Sequence, residues 1–160
     1  MDTQVLERIK EKEILKDIPR EKILAFQEEL SKLPGAFLGD TDQCPLTHKF
    51  APGVYVREIF IPKGTCIVGK IHKHDHPNFL MSGEVMVITE YQGREHLKAP
   101  LSIISKAGTK RIVLALEDTV WITVHATNET DLEKIEEVVI AKSYEDFEKF
   151  KALTIQEVEK

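Results

Sequence analysis

Between residues 46 and 126 the chain offers nine short extended runs with no helical stretch among them, and no other feature constrains its fold as tightly. The runs, at 46–50, 54–61, 65–72, 78–82, 84–91, 94–97, 101–105, 110–116 and 119–126, favour Val, Ile, Thr and aromatic residues. Turn chemistry separates them at Ala51-Pro52-Gly53, Pro62-Lys63-Gly64, Ser82-Gly83, Gln92-Gly93, Ala107-Gly108 and Glu117-Asp118. Glycine reaches positive φ without a steric cost, and proline presets the bend. So many strands without intervening helices predict an antiparallel all-β sandwich or barrel. The runs at 85–88 and 112–116 are apolar on both faces, so something outside the β core must cover them.

The flanks supply candidate covers. A charged helical stretch is expected at 3–16, with Val5, Leu6, Ile9 and Ile14 on a loose apolar stripe. Pro19 opens a second helix, expected at 19–33, in which Ile23, Phe26, Leu30 and Leu33 keep the three-and-four spacing of a buried face before Pro34-Gly35 stops it. This hairpin reads as a lid on the sheet or a contact between copies. After His125 the chain turns polar through 127–134, then gives a strand-like run at 136–141. Ser143 with Asp146 three residues on resembles a capping box, with Tyr144, Phe147 and Phe150 as the stripe behind it. The expected organisation is an N-terminal helical extension (1–38), a β core (39–142) and a C-terminal helical tail (143–160). At 160 residues and 42% hydrophobic content, the chain can bury one good core and is too short for two ordinary enzyme domains.

Charge and cysteine content exclude several classes of function. A net charge of -5 argues against a general nucleic-acid surface or an anionic membrane. Residues 66–111 nevertheless hold seven Lys/Arg against four Asp/Glu, so a locally basic pocket for a small anion is expected inside an acidic protein. Cys44 and Cys66 are too few for a disulfide framework. No signal-like segment opens the sequence and no run approaches the length of a membrane span, so a cytoplasmic protein is expected. Phosphate-binding glycine loops, a serine nucleophile elbow and a Cys-x-x-Cys pair are all missing from the sequence.

The chemistry concentrates at 64–83, where His72, His74 and His76 recur at every second position. On one unbroken strand all three would share a face, and neutral imidazole suits zinc, iron, nickel or copper. Pro77 argues for a bend before the last of them, so not all three need converge.

This run, followed by Glu84-Val85-Met86-Val87, resembles the first motif of cupins, in which a glycine precedes a His-x-His pair, a glutamate and a second glycine. Ala99-Pro100 through Gly108-Thr109-Lys110-Arg111 resembles the second cupin motif, a Pro-x-Gly turn before a histidine. The whole segment is also similar to uncharacterised cupin-like proteins of bacteriophages and prophages, which would place it in a host cytoplasm. The resemblance implies a cupin-like antiparallel β-barrel or jelly roll. Counted back from Gly83, it puts His72 at the family's second histidine, Lys70 at its first, His76 at its glutamate and Arg111 at its last histidine. The usual ligand set is therefore broken. His72 and His76 remain as candidate ligands, with His125 as a third, for one divalent ion such as zinc or iron. If Arg111 points inward, its planar fork suits a carboxylate or phosphate, and Lys70 would reinforce it.

Trp121 shares a strand face with Thr123 and His125, and is either core or a stacking wall for a base or sugar. His48 and His96 read as surface or structural residues, and the 133–137 charge run as a solvated face. Three functions follow. The first is a pocket of Lys70, His72, His76, Arg111, Trp121 and His125 for a small anionic ligand such as a nucleotide or sugar phosphate. The second is a metal-dependent enzyme using His72, His76 and His125, and the third is a structural or assembly protein. A homodimer or higher homo-oligomer is expected in each case.

Overall fold

A computed structural model describes residues 18–37, 41–90 and 92–158. The helix expected at 3–16 lies outside the described residues. The elements run α1 (Arg20–Ser31), β1 (Leu46–Ala51), β2 (Val54–Ile61), β3 (Cys66–Val68), β4 (Ile71–His72), β5 (His76–Ser82), β6 (Glu84–Thr89), β7 (Gly93–Lys98), β8 (Leu101–Ser105), β9 (Ile112–Ala115), β10 (Thr119–Ala126), α2 (Leu132–Val139), β11 (Ile140–Ala141) and α3 (Tyr144–Val158).

The strands form two antiparallel sheets, β1-β2-β10-β5-β8 and β3-β9-β6-β7, with β11-β4 as a small separate pair. The architecture is an all-β jelly roll flanked by helices. The sheets are not hydrogen-bonded to each other along their edges, so the closed barrel allowed by the sequence gives way to two facing layers. The space between the layers is filled by alternate residues: Leu80, Val85, Val87, Val113 and Trp121 form the central cluster, with Ile59, Ile67, Leu101 and Ile103 packed against it. Cys44, Ile61 and Ala115 fill one end. The other end is polar and carries the histidines.

Two expectations change here. The 65–72 run divides into β3 and β4 at Gly69 and Lys70: Gly69 N–H makes a last bond to the Arg111 carbonyl at 2.8 Å, beyond which the chain parts from β9 and Ile71 and His72 pair instead with β11. The 136–141 run is mostly helix. Asp131 caps α2 by accepting from the N–H groups of Glu133 (3.0 Å) and Lys134 (3.3 Å), and Ile135 and Val139, one helical turn apart, bury against Tyr55. The β-branched Val138-Val139-Ile140 suggests a strand locally, but burial of one helix face against the mouth of the jelly roll outweighs that preference. Only Ile140 and Ala141 are extended, pairing with His72 and Ile71.

The last helix begins as the sequence predicts: the Ser143 hydroxyl accepts from Asp146 N–H at 3.0 Å, and the Asp146 carboxylate accepts from Lys142 N–H at 3.0 Å. Phe147 then seats against Gly108, where φ is +81° and any β-carbon would overlap the phenyl ring. Arg20, at the start of α1, joins the helices to the core. It pairs with Glu90 at 2.8 Å and Glu148 at 3.3 Å, and lies over the Tyr144 ring at 4.5 Å. No helix among the described residues is long and apolar enough to cross a membrane.

Candidate functional site

The bend that Pro77 foretells falls at 73–75, so His72 closes β4 while His76 opens β5. Asp75 fixes this corner by accepting from Ala107 N–H at 2.8 Å and Lys106 Nζ at 3.0 Å; those two bonds, backbone first, hold its carboxyl below the ordinary range. His125 arrives on β10 directly opposite Tyr55 of β2. The three rings meet at the polar end of the jelly roll. Centroid separations are 4.2 Å for His72 and His76, 5.0 Å for His76 and His125, and 5.2 Å for His72 and His125. His74, at the corner itself, leaves the group and sets its edge against Phe150 at 5.3 Å.

All three imidazoles are neutral at pH 7. Burial is the main cause for each. It takes His72 down to about 2, helped by the neighbouring His76 and His125 and by Arg57 and Arg111. His125 falls to about 4 through burial, then His76 and Arg57. His76 is lowered by burial, against the opposing pull of its hydrogen bond to the His74 carbonyl. That bond, 3.0 Å from Nδ1, makes Nδ1 the donor and leaves Nε2 as a bare lone pair. Nε2 is fully buried and has no hydrogen-bond partner.

A cavity of about 100 Å³ lies between this cluster and α2, lined by Tyr55, His72, His125, Leu132, Ile135, Glu136 and Val139. It is large enough for several waters or a very small molecule. The Tyr55 hydroxyl, 2.7 Å from His48 Nδ1, is pushed toward higher pKa by burial first, with Arg57 opposing and Glu136 reinforcing. Behind the imidazoles the wall is fixed by Asn78, whose Oδ1 accepts from Trp121 Nε1 at 2.9 Å and Thr123 Oγ1 at 3.3 Å while its amide donates to Ser105 Oγ.

The remaining predicted site residues divide. Arg111 sits on the inward face of the strand carrying Val113 and Ala115, and its charge is felt at both His72 and His76. Burial lowers its pKa, Glu95 attracts it from beyond ion-pair range, and no described residue gives its guanidinium a hydrogen bond or ion pair. Lys70 stays outside the hollow, exposed at the break between β3 and β4 and paired with Glu136. Trp121 packs in the central core; of the predicted pocket residues only His72 and His125 line the cavity, and His76, Arg111 and Trp121 do not.

Sequence reasoning missed three contributors. Arg57 shares the inward face with Tyr55 by simple alternation, a signal that could have been counted. His48, read as structural or surface, holds the Tyr55 hydroxyl. Glu136, placed on a solvated face, lines the cavity because α2 is a helix across the mouth.

The donor set suits a borderline divalent ion: three neutral imidazoles, one with an orphaned, buried nitrogen. Metal–nitrogen bonds of roughly 2.0–2.1 Å would place such ring centres roughly 5 Å apart, close to the separations seen. Among the described residues, however, no three His, Cys, Asp or Glu side chains are already arranged to hold an ion, so coordination requires these rings to reorient.

No protein-family model and no curated protein sequence matches the chain. Among solved structures, the chain is similar to ectoine synthase from P. lautus, with a TM-score of 0.51 and 15% identity over 69% of this chain and 81% of that one. KdgF from Halomonas sp. matches at TM-score 0.49 and 15% identity, over 61% of this chain and 90% of that one. An RmlC-like cupin family protein with a double-stranded β-helix fold from Methanocaldococcus jannaschii matches at 0.45 and 16%, over 57% and 86%. At such identities the likeness is one of fold alone, an antiparallel jelly roll.

Proposed function

We propose that the chain is a small-molecule-binding protein of cupin type, in which His72, His76 and His125 hold one divalent ion, zinc or iron, and Arg111 receives the anionic group of a small ligand. The buried, unpartnered Nε2 of His76, on a ring packed beside two other neutral imidazoles, is the observation that carries this reading. A buried lone pair without a partner costs free energy, and an ion or a ligand donor would recover it. Arg111 supplies the second half: a half-buried guanidinium with no described ion-pair partner accepts a carboxylate or phosphate more readily than it stays alone. A bound ion would supply Lewis acidity and a fixed positive charge. The chain's own residues orient the ligand: Arg111 by its fork, and Tyr55 by its buried hydroxyl.

The cavity beside His72 and His125 favours a second reading, an enzyme of the same site, because it leaves room for water or substrate next to the imidazoles.

Elemental analysis of purified protein, with the His76→Ala variant beside it, tests the metal. About one zinc or iron per chain is expected in the parent and a loss of most of it in the variant. Thermal shift with inorganic phosphate, AMP and glucose 6-phosphate tests the anion. Stabilisation by at least one of them, abolished in Arg111→Ala, is expected. Metal-free protein that none of the three probes stabilises overturns the reading.

A further inference from the structure

A second hollow, of about 690 Å³, lies between α3 and the corner that joins β4 to β5, and it shares no residue with the cavity at the imidazoles. Its size falls in the roughly 300–1,000 Å³ range of small-molecule sites. One wall is a single face of α3: Phe147, Phe150, Lys151, Thr154 and Ile155 recur at the three-and-four spacing, over a rise of about 12 Å. The facing wall is braced. Asp75 accepts from Ala107 N–H at 2.8 Å and from Lys106 Nζ at 3.0 Å, and Lys73 N–H donates to the Val139 carbonyl at 2.7 Å. Phe147 is buried against Gly108, while Ile155 at the other end of the helical wall is 51% exposed.

We propose that this groove binds an amphipathic carboxylate, an acid whose apolar body lies along α3 and whose charge meets Lys73 and Lys151. The proposal does not rest on the ligand reading above. Charge selects the head group. Four cations, Arg20, Lys73, Lys106 and Lys151, line the groove against two acids, Asp75 and Glu148, in a chain of net charge -5. Both acids are already engaged, Asp75 by Lys106 and Glu148 by Arg20 at 3.3 Å. Lys73 Nζ donates instead to the Glu137 backbone carbonyl at 2.9 Å and stands 5.4 Å from the centre of the Phe150 ring, and Lys151 follows Phe150 on the helix. Among the described residues neither ammonium has a carboxylate partner.

Two uncompensated charges beside an aromatic ring match one anion that carries an apolar chain. Water serves the ammonium groups but leaves Phe150 and Ile155 wet, and a neutral hydrocarbon does the reverse. The chain's own first 17 residues are poorer occupants, because five Asp/Glu against four Lys/Arg bring almost no net charge to the groove. The functional consequence is mechanical. An occupant touches the 73–75 corner, whose two ends are His72 and His76, so filling the groove steadies the spacing of those imidazoles from outside the hollow that holds them.

Isothermal titration calorimetry of the full chain with sodium decanoate at low ionic strength tests this. One decanoate per chain is expected, with Kd on the order of 0.1–1 mM for a ligand of about a dozen heavy atoms. Sodium acetate, which keeps the charge and lacks the chain, should give no saturable heat. The double variant Lys73→Gln/Lys151→Gln should raise Kd about 10-fold, and Ile155→Asp should abolish binding, since it sets an acid against the ligand's own charge. Leu153→Asp, equally exposed but outside the groove's lining, should leave Kd within about twofold. A chain that takes up no decanoate overturns the proposal. So does binding that both groove variants retain; its loss in Arg111→Ala would then assign the anion to the imidazole hollow. Binding that appears only in Leu6→Asp/Ile9→Asp overturns it as well, because the chain's own first residues would then be the occupant.

Discussion

Acidifying the chelated, metal-free protein from pH 7 to pH 5 should cost a large part of its stability, and the histidine cluster sets the size of the loss. In the unfolded chain each imidazole titrates near 6.5, whereas in the fold His125 titrates at about 4 and His72 at about 2. Below 6.5 the unfolded state therefore binds protons that the folded state refuses. Stability rises with pH wherever the unfolded state holds more protons, so it must fall as pH drops from 6.5 toward 4 for His125, and further still for His72. Integrated from pH 7 to pH 5, each of the two contributes about 2 kcal/mol, together about 4 kcal/mol, and His76 adds in the same direction. Against the 5–15 kcal/mol of a typical domain, roughly, this is not a small correction. Urea unfolding at pH 7.0, 6.0 and 5.0, followed by tryptophan fluorescence, measures it through Trp121. The slope should approach about 2.5 kcal/mol per pH unit near pH 5 and fall by about half in His125→Asn. Arg111→Gln should flatten it too, since removing that positive charge lets His72 and His76 keep a proton more readily. A flat profile between pH 7 and 5, or a slope unchanged in the His72→Gln/His125→Asn double variant, would refute the claim that these rings are held neutral inside the hollow.

Two further outcomes follow from the packing around the site. Asn78→Leu strips partners from the Trp121 indole, the Thr123 hydroxyl and the Ser105 hydroxyl at once; a loss of about 3 kcal/mol is expected, seen as a urea midpoint lower by roughly 1–2 M, and a shift under about 0.5 M would show the hub to be dispensable. Gly83→Ala should cost more than Gly53→Ala in thermal unfolding: both residues have positive φ, but a β-carbon at 83 meets the Asp118 and Thr119 backbone, whereas at 53 it meets open space. About 1 kcal/mol at 53 and roughly 2–4 kcal/mol at 83 are the expected losses, and equal losses would mean the corner between β5 and β6 yields freely.

The sequence made the strands legible because alternation and turn residues are local signals. Runs at 54–61, 101–105 and 119–126 coincide with β2, β8 and β10 residue for residue. α2 was not legible, because its cap at Asp131 sits in a polar stretch that reads as loop, and its apolar residues gain their value only from Tyr55 across the mouth. The same gap hid Glu136, whose place at the cavity depends on the helix. Lys70 lies outside for a related reason: a count back from Gly83 assumes an unbroken strand, but the chain parts from β9 after Gly69, and the lysine at the break is exposed and pairs with Glu136. Arg57 was readable, since alternation from Tyr55 needs no tertiary information.

One arrangement of charge ties these pieces together. The fold sends two arginines, 57 and 111, toward a hollow whose imidazoles are already neutral, and each positive charge makes protonating a ring more costly. A hollow built that way keeps its nitrogen lone pairs available at physiological pH, with the two guanidinium groups behind the rings and Glu136 across the cavity. Neutral donors suit a cation, and the Arg111 fork suits an anion. Both are served only if the cation and the anion bind together, the ion at the imidazoles and the ligand's negative group between it and Arg111. Metal and anion should therefore bind cooperatively, each raising the affinity for the other by the same factor.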